Sequence, residues 1–491
     1  MLKKLAAAVA LVALLSVGAA AQNAKTVISD ATEAMGAEHL DSIKYSGSAW
    51  YIRYGSAPTA EGPWTGTKIA DYTRAIDLNS PAIRASGSMI TPTGFGGPSE
   101  LVSYSQTITP GQTSWIDYST APGQFEVWMT PWGFLRGAAT NNATVHSESK
   151  AGMRYAVVSW KTPQKSPSGL AYTFNGYIND QNLVERVETW VDHQLFGDMH
   201  VEATYLGYQD FGGVQVPTHI VMRHGGGATT FEAWITSATA NPENIAQLVK
   251  APRQRARQER QERTLTLKSE KLADGVYRIS GGPGVYVAMA VEMKDFIIVH
   301  EAGQSVALGS AIMAEAKRAI PNKPIRYVFN SHAHYDHSSG LAPFVAEGVT
   351  IITAENNRAF FERVLSGPRT LVGDALAKAP KKPKFETVTD KKVIRDETRA
   401  VEYYHVKDLD HTDGMIVAYL PKEKILFTGD FPLPGFRYPG EPTLSFVYTL
   451  VENVVDRYNL DFEQFVDVHA ANPYVPWTRA DVMKAIGRKI N

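Results

Sequence analysis

The chain of 491 residues contains no cysteine. Disulfide staples, thiolate nucleophiles and Cys-ligated structural zinc are therefore excluded. A surplus of one charge is also missing, since 49 Lys and Arg stand against 50 Asp and Glu. Without a basic field to hold phosphate backbones, a nucleic-acid partner and a nuclease activity are disfavoured. Beyond Val17 there is no apolar run long enough to cross a bilayer, so the mature chain offers no integral membrane span. Repeats and low-complexity tracts are absent as well. What remains is ordinary globular material, 44% hydrophobic and 20% charged, long enough for two or three domains.

The first residues have the three parts of a secretory signal: Lys3-Lys4, the apolar stretch Leu5 to Val17, and Ala19-Ala20-Ala21 as a cleavage site. Residues 1–21 are expected to be removed, leaving an exported chain, periplasmic or secreted.

Residues 22–245 read as a mainly antiparallel, strongly curved β domain behind a short helix, Ala24 to Ala37. Leu183 to Val191 alternates polar and apolar residues as a half-buried strand does, and Gly212-Gly213 and Gly225-Gly226-Gly227 mark hairpin turns. Trp50, Trp64, Trp115, Trp128, Trp132 and Trp160 make the region dense in aromatics, which serve either as core or as the lining of an apolar groove. Its sheet plan resembles half-barrel lipoprotein-carrier domains, and that resemblance implies a lipid-like ligand. His146, His193, His200, His219 and His224 are scattered without ligand spacing and are read as surface or turn histidines.

Residues 246–264 are expected to form a charged linker helix, with five arginines against two glutamates between Arg253 and Arg263. From 265 to 491 short strands alternate with helices, the texture of a layered α/β domain. Its landmarks are the strand Ile325 to Phe329, a helix from Ser305 to Ile320 and another from Thr443 to Tyr458.

The strand at 325–329 runs into Ser331-His332-Ala333-His334-Tyr335-Asp336-His337-Ser338-Ser339-Gly340, which packs three histidines and an aspartate into six positions. Imidazole with carboxylate suits zinc, iron or manganese. Three more ligand-capable residues stand in turns or at strand tips: His411 in a polar turn, Asp430 after Ile425 to Gly429, and His469 after Phe465 to Val468. A metal site at one edge of a sheet needs this placement. Thr412, Tyr335, Asp410 and Asp413 are candidates for fixing imidazole orientation, and His300 and His405 read as strand histidines.

The succession His332-x-His334-x-Asp336-His337, His411-Thr412, Gly429-Asp430 and His469 resembles the metallo-β-lactamase superfamily. The resemblance covers Leu265 to the C-terminus and implies an αββα sandwich with its site at the sheets' edges. It further implies that His332, His334 and His411 bind one metal, that Asp336, His337 and His469 bind a second, and that Asp430 bridges them. True β-lactamases of the superfamily lack the bridging aspartate, so the pattern is nearer to the glyoxalase II and lactonase branches. The implied function is a dinuclear metal-dependent hydrolase, with two divalent ions, zinc before iron or manganese. It would cleave an ester, lactone, thioester or related bond of a small-molecule substrate with a metal-bridging hydroxide, and Asp336 would orient that hydroxide. Two alternatives stay open: a mononuclear iron dioxygenase on the same fold, and a carrier of hydrophobic ligands with a non-catalytic metal site. The aromatic loop Phe431 to Glu441, with Arg437, is expected to face the substrate.

Overall fold

In a computed structural model of the chain, the residues described are 24–488 apart from 53, 63, 65, 91–100, 251–264, 282–285, 434–442 and 470–476. The expected signal segment, most of the linker helix and Arg437 lie outside them. Among the described residues no helix is long and apolar enough to cross a membrane.

The first domain is one eleven-stranded antiparallel sheet, made of two meanders. Four strands run outwards from Ser42–Ile52 to Leu101–Ile108; seven more begin with Thr144–Lys150 at the far edge and return to Ala228–Ala240, which pairs with Ser42–Ile52. Between the meanders lie two helices that the aromatic, strand-like texture of the sequence hides, Phe125–Trp128 and Pro131–Thr140. Thr130 caps the second through its hydroxyl and Pro131 opens it, a start signal that overrides the aromatic pattern. Trp128 and Trp132 therefore sit on helices, not on strands.

These helices show that the sheet is curled. Gly66–Asp77 is third and Met153–Lys165 tenth in the strand order, which would separate them by roughly 34 Å in a flat sheet. Yet Arg74 on the former lies 3.8 Å from Glu126, and Trp160 on the latter packs edge-on against Trp128 with ring centroids 5.1 Å apart. Both partners belong to one four-residue helix. The sheet wraps round it, and its concave face holds the core: Tyr72, Tyr172, Phe125, Phe134 and Phe174 are all buried there.

The second domain is the expected four-layer sandwich. A seven-stranded sheet from Leu267–Ala273 to Lys384–Val388 faces a five-stranded sheet from Lys391–Arg395 to Gln464–Asp467. Between them pack Phe329, His300, Tyr403 and Phe427, contributed by both sheets. Outside the first sheet lie the helices Val306–Ala319, Leu341–Glu347 and Glu355–Ser366. Outside the second, Phe446, Val447, Leu450, Val454, Val482 and Met483 cover Val417, Leu426 and Phe465. The helix expected over Thr443 to Tyr458 begins at Ser445 and passes at Val451 into a wider, π-helical turn. His300 and His405 are strand residues, as read from the sequence.

Candidate metal centre

Parallel pairing brings the loops together. The strands Ile297–His300, Ile325–Phe329 and Thr350–Ala354 run parallel in the first sheet, as do Ile425–Thr428 and Gln464–Asp467 in the second. Their carboxyl ends therefore meet along one rim of the sandwich. His332, Asp336 and His337 follow one of these ends, Asp430 and His469 follow two others, and the His411 turn joins two antiparallel strands at the same rim. Gly340 lets the metal loop close on the neighbouring strand end, since a Cβ there would sit 2.0 Å from the Ala302 carbonyl oxygen.

All seven residues singled out from the sequence converge in two groups that share one carboxylate. His332, His334, His411 and Asp430 form the first; Asp336, His337, His469 and Asp430 form the second. Asp430 Oδ2 is 3.0 Å from His411 Nε2 and 3.6 Å from His332 Nε2, while Oδ1 is 2.9 Å from both His337 Nε2 and His469 Nε2. Asp336 stands 3.6 Å from His469 Nε2 and 3.7 Å from His337 Nε2. The Nε2 atoms of His332 and His337 are buried, carry no hydrogen bond and are turned to the same carboxylate. Leaving buried polar atoms unpaired is costly, and a cation between imidazoles and carboxylates removes that cost. The donor set fits two divalent ions, five imidazoles and two carboxylates without sulfur.

The groups that aim the imidazoles are mostly ones the sequence did not advertise. Glu301, at the tip of Ile297–His300, is fully buried and accepts a hydrogen bond from His337 Nδ1 at 3.3 Å. It is held in turn by the Ser331 amide at 3.0 Å and the Tyr286 hydroxyl at 3.0 Å. A glutamate closing an apolar strand beside the metal-loop strand was the available signal. Ser331 Oγ lies 2.9 Å from His332 Nδ1. His334 donates Nε2–H to the carbonyl of Ala57, 2.9 Å away in the first domain, which leaves Nδ1 to face the site. By contrast, Thr412 Oγ1 accepts the Gly414 amide, Tyr335 and Asp413 give their amides to Gly55 and Pro58, and the Asp413 carbonyl pairs with His405, none of them a ligand imidazole. Tyr335 instead packs against Tyr54, Tyr118, His193 and Phe196 of the first domain.

The two groups differ in charge. Burial, reinforced by the neighbouring imidazoles, holds His332 far below the usual histidine range and His334 down at about 3. Burial also disfavours charge on His337 and His469, but Asp430 and Asp336 outweigh it, raising His337 well above its ordinary value and His469 to about 10. Against the same burial, His337 and His469 bring Asp336 down to about 2 and hold Asp430 well below the usual carboxylate range. His332 and His334 thus offer neutral nitrogens, and the second group is a set of two imidazolium–carboxylate pairs whose protons a bound cation displaces.

Four first-domain histidines differ from their reading as surface or turn residues: His193 is fully buried, and His200, His219 and His224 are half-buried on strands. His200 does stand beside Glu188 and Glu202, but those carboxylates are already engaged by Tyr177 and by Arg186 and Arg223.

Residues 282–471 match the family described as the metallo-beta-lactamase superfamily. Similar solved structures include metallo-beta-lactamases from Pontibacter korlensis (17% identity over 45% of this chain and 97% of that one, TM-score 0.34) and Hirschia baltica (20% over 46% and 99%, TM-score 0.33). A third comes from Erythrobacter litoralis, with 18% identity, 45% and 95% coverage and a TM-score of 0.34. No curated protein matches the chain. Behind its curled antiparallel sheet, the chain carries at residues 282–471 a domain of the metallo-beta-lactamase superfamily.

Proposed function

We propose that the protein is an exported, dinuclear metal-dependent hydrolase acting on an ester, lactone, thioester or related bond of a small molecule. The observation that carries this reading is the pair of ligand groups joined through Asp430. Export rests on the signal-like segment from Lys3 to Ala21. Two divalent ions, zinc by donor type, would supply an acidified water and a Lewis acid for the carbonyl oxygen.

The chain's own residues do the rest. His332, His334 and His411 present ring nitrogens to one position, and Asp336, His337 and His469 present the opposite side. Asp430, with its two oxygens turned to different groups, sets the separation between the positions. Asp336 is the carboxylate placed to orient a nucleophilic water, being about a third exposed where Asp430 is more enclosed. Glu301, Ser331 and the Ala57 carbonyl keep the imidazoles from rotating.

Elemental analysis of the mature chain beside an Asp430→Ala variant tests the reading. Two zinc-like ions per chain, falling to one or none in the variant, are expected. A single iron with oxygen consumption would replace the hydrolase by a mononuclear dioxygenase. No bound metal in either protein would leave a carrier.

A further inference from the structure

The curled sheet encloses a cavity of about 140 Å³ that lies against the metal loop, with Tyr335 as one wall. Tyr51, Tyr72, Tyr104 and Phe231 give it aromatic sides, and Met222 adds a flexible thioether. Gln106, Asp117 and Glu126 add polar groups to the lining, and into this space the protein also places N–H groups that it does not itself satisfy. Arg74 is buried at 6% exposure, and its Nε has no partner. Its Nη2 is held loosely, 3.4 Å from the Glu126 carbonyl and 3.8 Å from the Glu126 carboxylate. The indole N–H of Trp115 is buried and unpartnered. His193, 1% exposed, accepts the amides of Leu195 and Phe196 on Nδ1 at 3.1 and 3.2 Å, so its hydrogen is on Nε2, which also lacks a partner.

Three unsatisfied buried donors in one cavity are costly unless something brings acceptors to them. One of the three belongs to a guanidinium, the side chain best suited to a carboxylate. The walls suit a flat ring, and the volume is close to the roughly 150 Å³ at which an engineered protein cavity accepts benzene. We infer that this cavity is a binding site for a small aromatic carboxylate, its ring packed on the Tyr72 and Phe231 side and its carboxylate at Arg74. The site is distinct from the metal centre and does not rest on the hydrolase reading. Tyr335 stands between the two, flanked in sequence by the candidate ligands His334 and Asp336.

Benzoate is the probe, titrated calorimetrically into the metal-loaded full chain, with acetate and laurate as comparators. Because a carboxylate also binds metal ions, 4-bromobenzoate is soaked into crystals and the bromine located by anomalous scattering. A bromine peak in the sheet cavity, benzoate affinity above acetate and laurate, and a loss of about tenfold or more in an Arg74→Gln/Glu126→Gln double variant are expected. The double change removes both charges together, leaving neither one buried alone. A second variant, Thr230→Phe, fills the cavity and should abolish the peak while leaving metal content unchanged. A peak only at the metals, unchanged affinity in both variants, or preference for laurate would each overturn the assignment.

Discussion

Glu301 shows how one residue outside the ligand set governs a ligand. Its carboxylate is fully buried, with one oxygen on the Ser331 amide and the other shared by Tyr286 and the His337 ring. Its backbone adopts φ +74°, sparsely populated for a side chain larger than glycine. An acceptor oxygen on Nδ1 fixes the His337 tautomer with Nε2 facing the second metal position; an amide, which can turn its NH2 to the ring instead, does so less firmly. Glu301→Gln is therefore expected to weaken occupancy of that position about tenfold or more while sparing the His332–His334–His411 position. Zinc titration against a competing chelator separates the two affinities, and equal affinities in parent and variant would remove Glu301 from this role. The candidate ligands were legible from the sequence because metal chemistry restricts residue type and spacing. Their orienting partners were not, since a serine hydroxyl, a backbone carbonyl and a strand-end glutamate have no distinctive type.

At the scale of elements, strands are legible where burial alternates and where apolar runs end in turns; Ile325–Phe329 falls where expected. The helices Phe125–Trp128 and Pro131–Thr140 were missed because a helix wrapped by a sheet is apolar on most sides and loses its 3.6-residue stripe. The strand Lys391–Arg395 was missed for the opposite reason, being an exposed edge strand with three basic residues in five. Its turn into Ala400–His405 is held by Asp396. That carboxylate accepts from Thr398, through amide and hydroxyl, from the Arg399 amide, and from the Lys294 amide of the other sheet at 2.6 Å. Burial alone would raise its pKa, but these hydrogen bonds bring it down to about 2. A folded value below the ordinary one means that the stabilisation is complete above about pH 4. It fades as pH falls through about 2. Asp396→Asn should cost about 1 kcal/mol at neutral pH, after allowance for solvent screening. Its melting temperature should also fall less than the parent's between neutral and acid pH. Parallel acid melting curves for the two proteins would count against the assignment.

At the scale of the whole molecule, the question is what the curled sheet does for the metal domain. Sequence alone drew a linker and two domains; it could not show that the loop after the first strand returns to cover the metal loop, because backbone contacts between distant segments leave no residue signature. Gly55 accepts the Tyr335 amide at 2.9 Å, Ala57 accepts His334 Nε2 at 2.9 Å, and Pro58 accepts the Asp413 amide at 2.8 Å. Around them Arg369 donates to the carbonyls of Gln194 and Leu195 while paired with Asp374, and Asp198 receives the amides of Thr370 and Leu371. The sheet domain thus completes the setting of His334, whose ring also packs edge-on against His332 and His411. Gly55 is the most sensitive point of this contact. It has φ +93°, and a Cβ there would meet the Tyr335 ring at 2.3 Å. Gly111 has nearly the same φ, +86°, with nothing within 4 Å of its Cβ position. Both Gly→Ala changes carry the backbone cost of a left-handed conformation, about 1 kcal/mol; only Gly55→Ala must also push the loop away from Tyr335 and carry the Ala57 carbonyl off His334. Gly55→Ala should then lower affinity at the first metal position about tenfold, whereas Gly111→Ala should lower stability alone. Chelator competition together with thermal melts on both variants decides it. Equal metal affinity in the two would mean that the sheet domain merely adjoins the centre, while a loss confined to Gly55→Ala would make the centre a joint product of both domains.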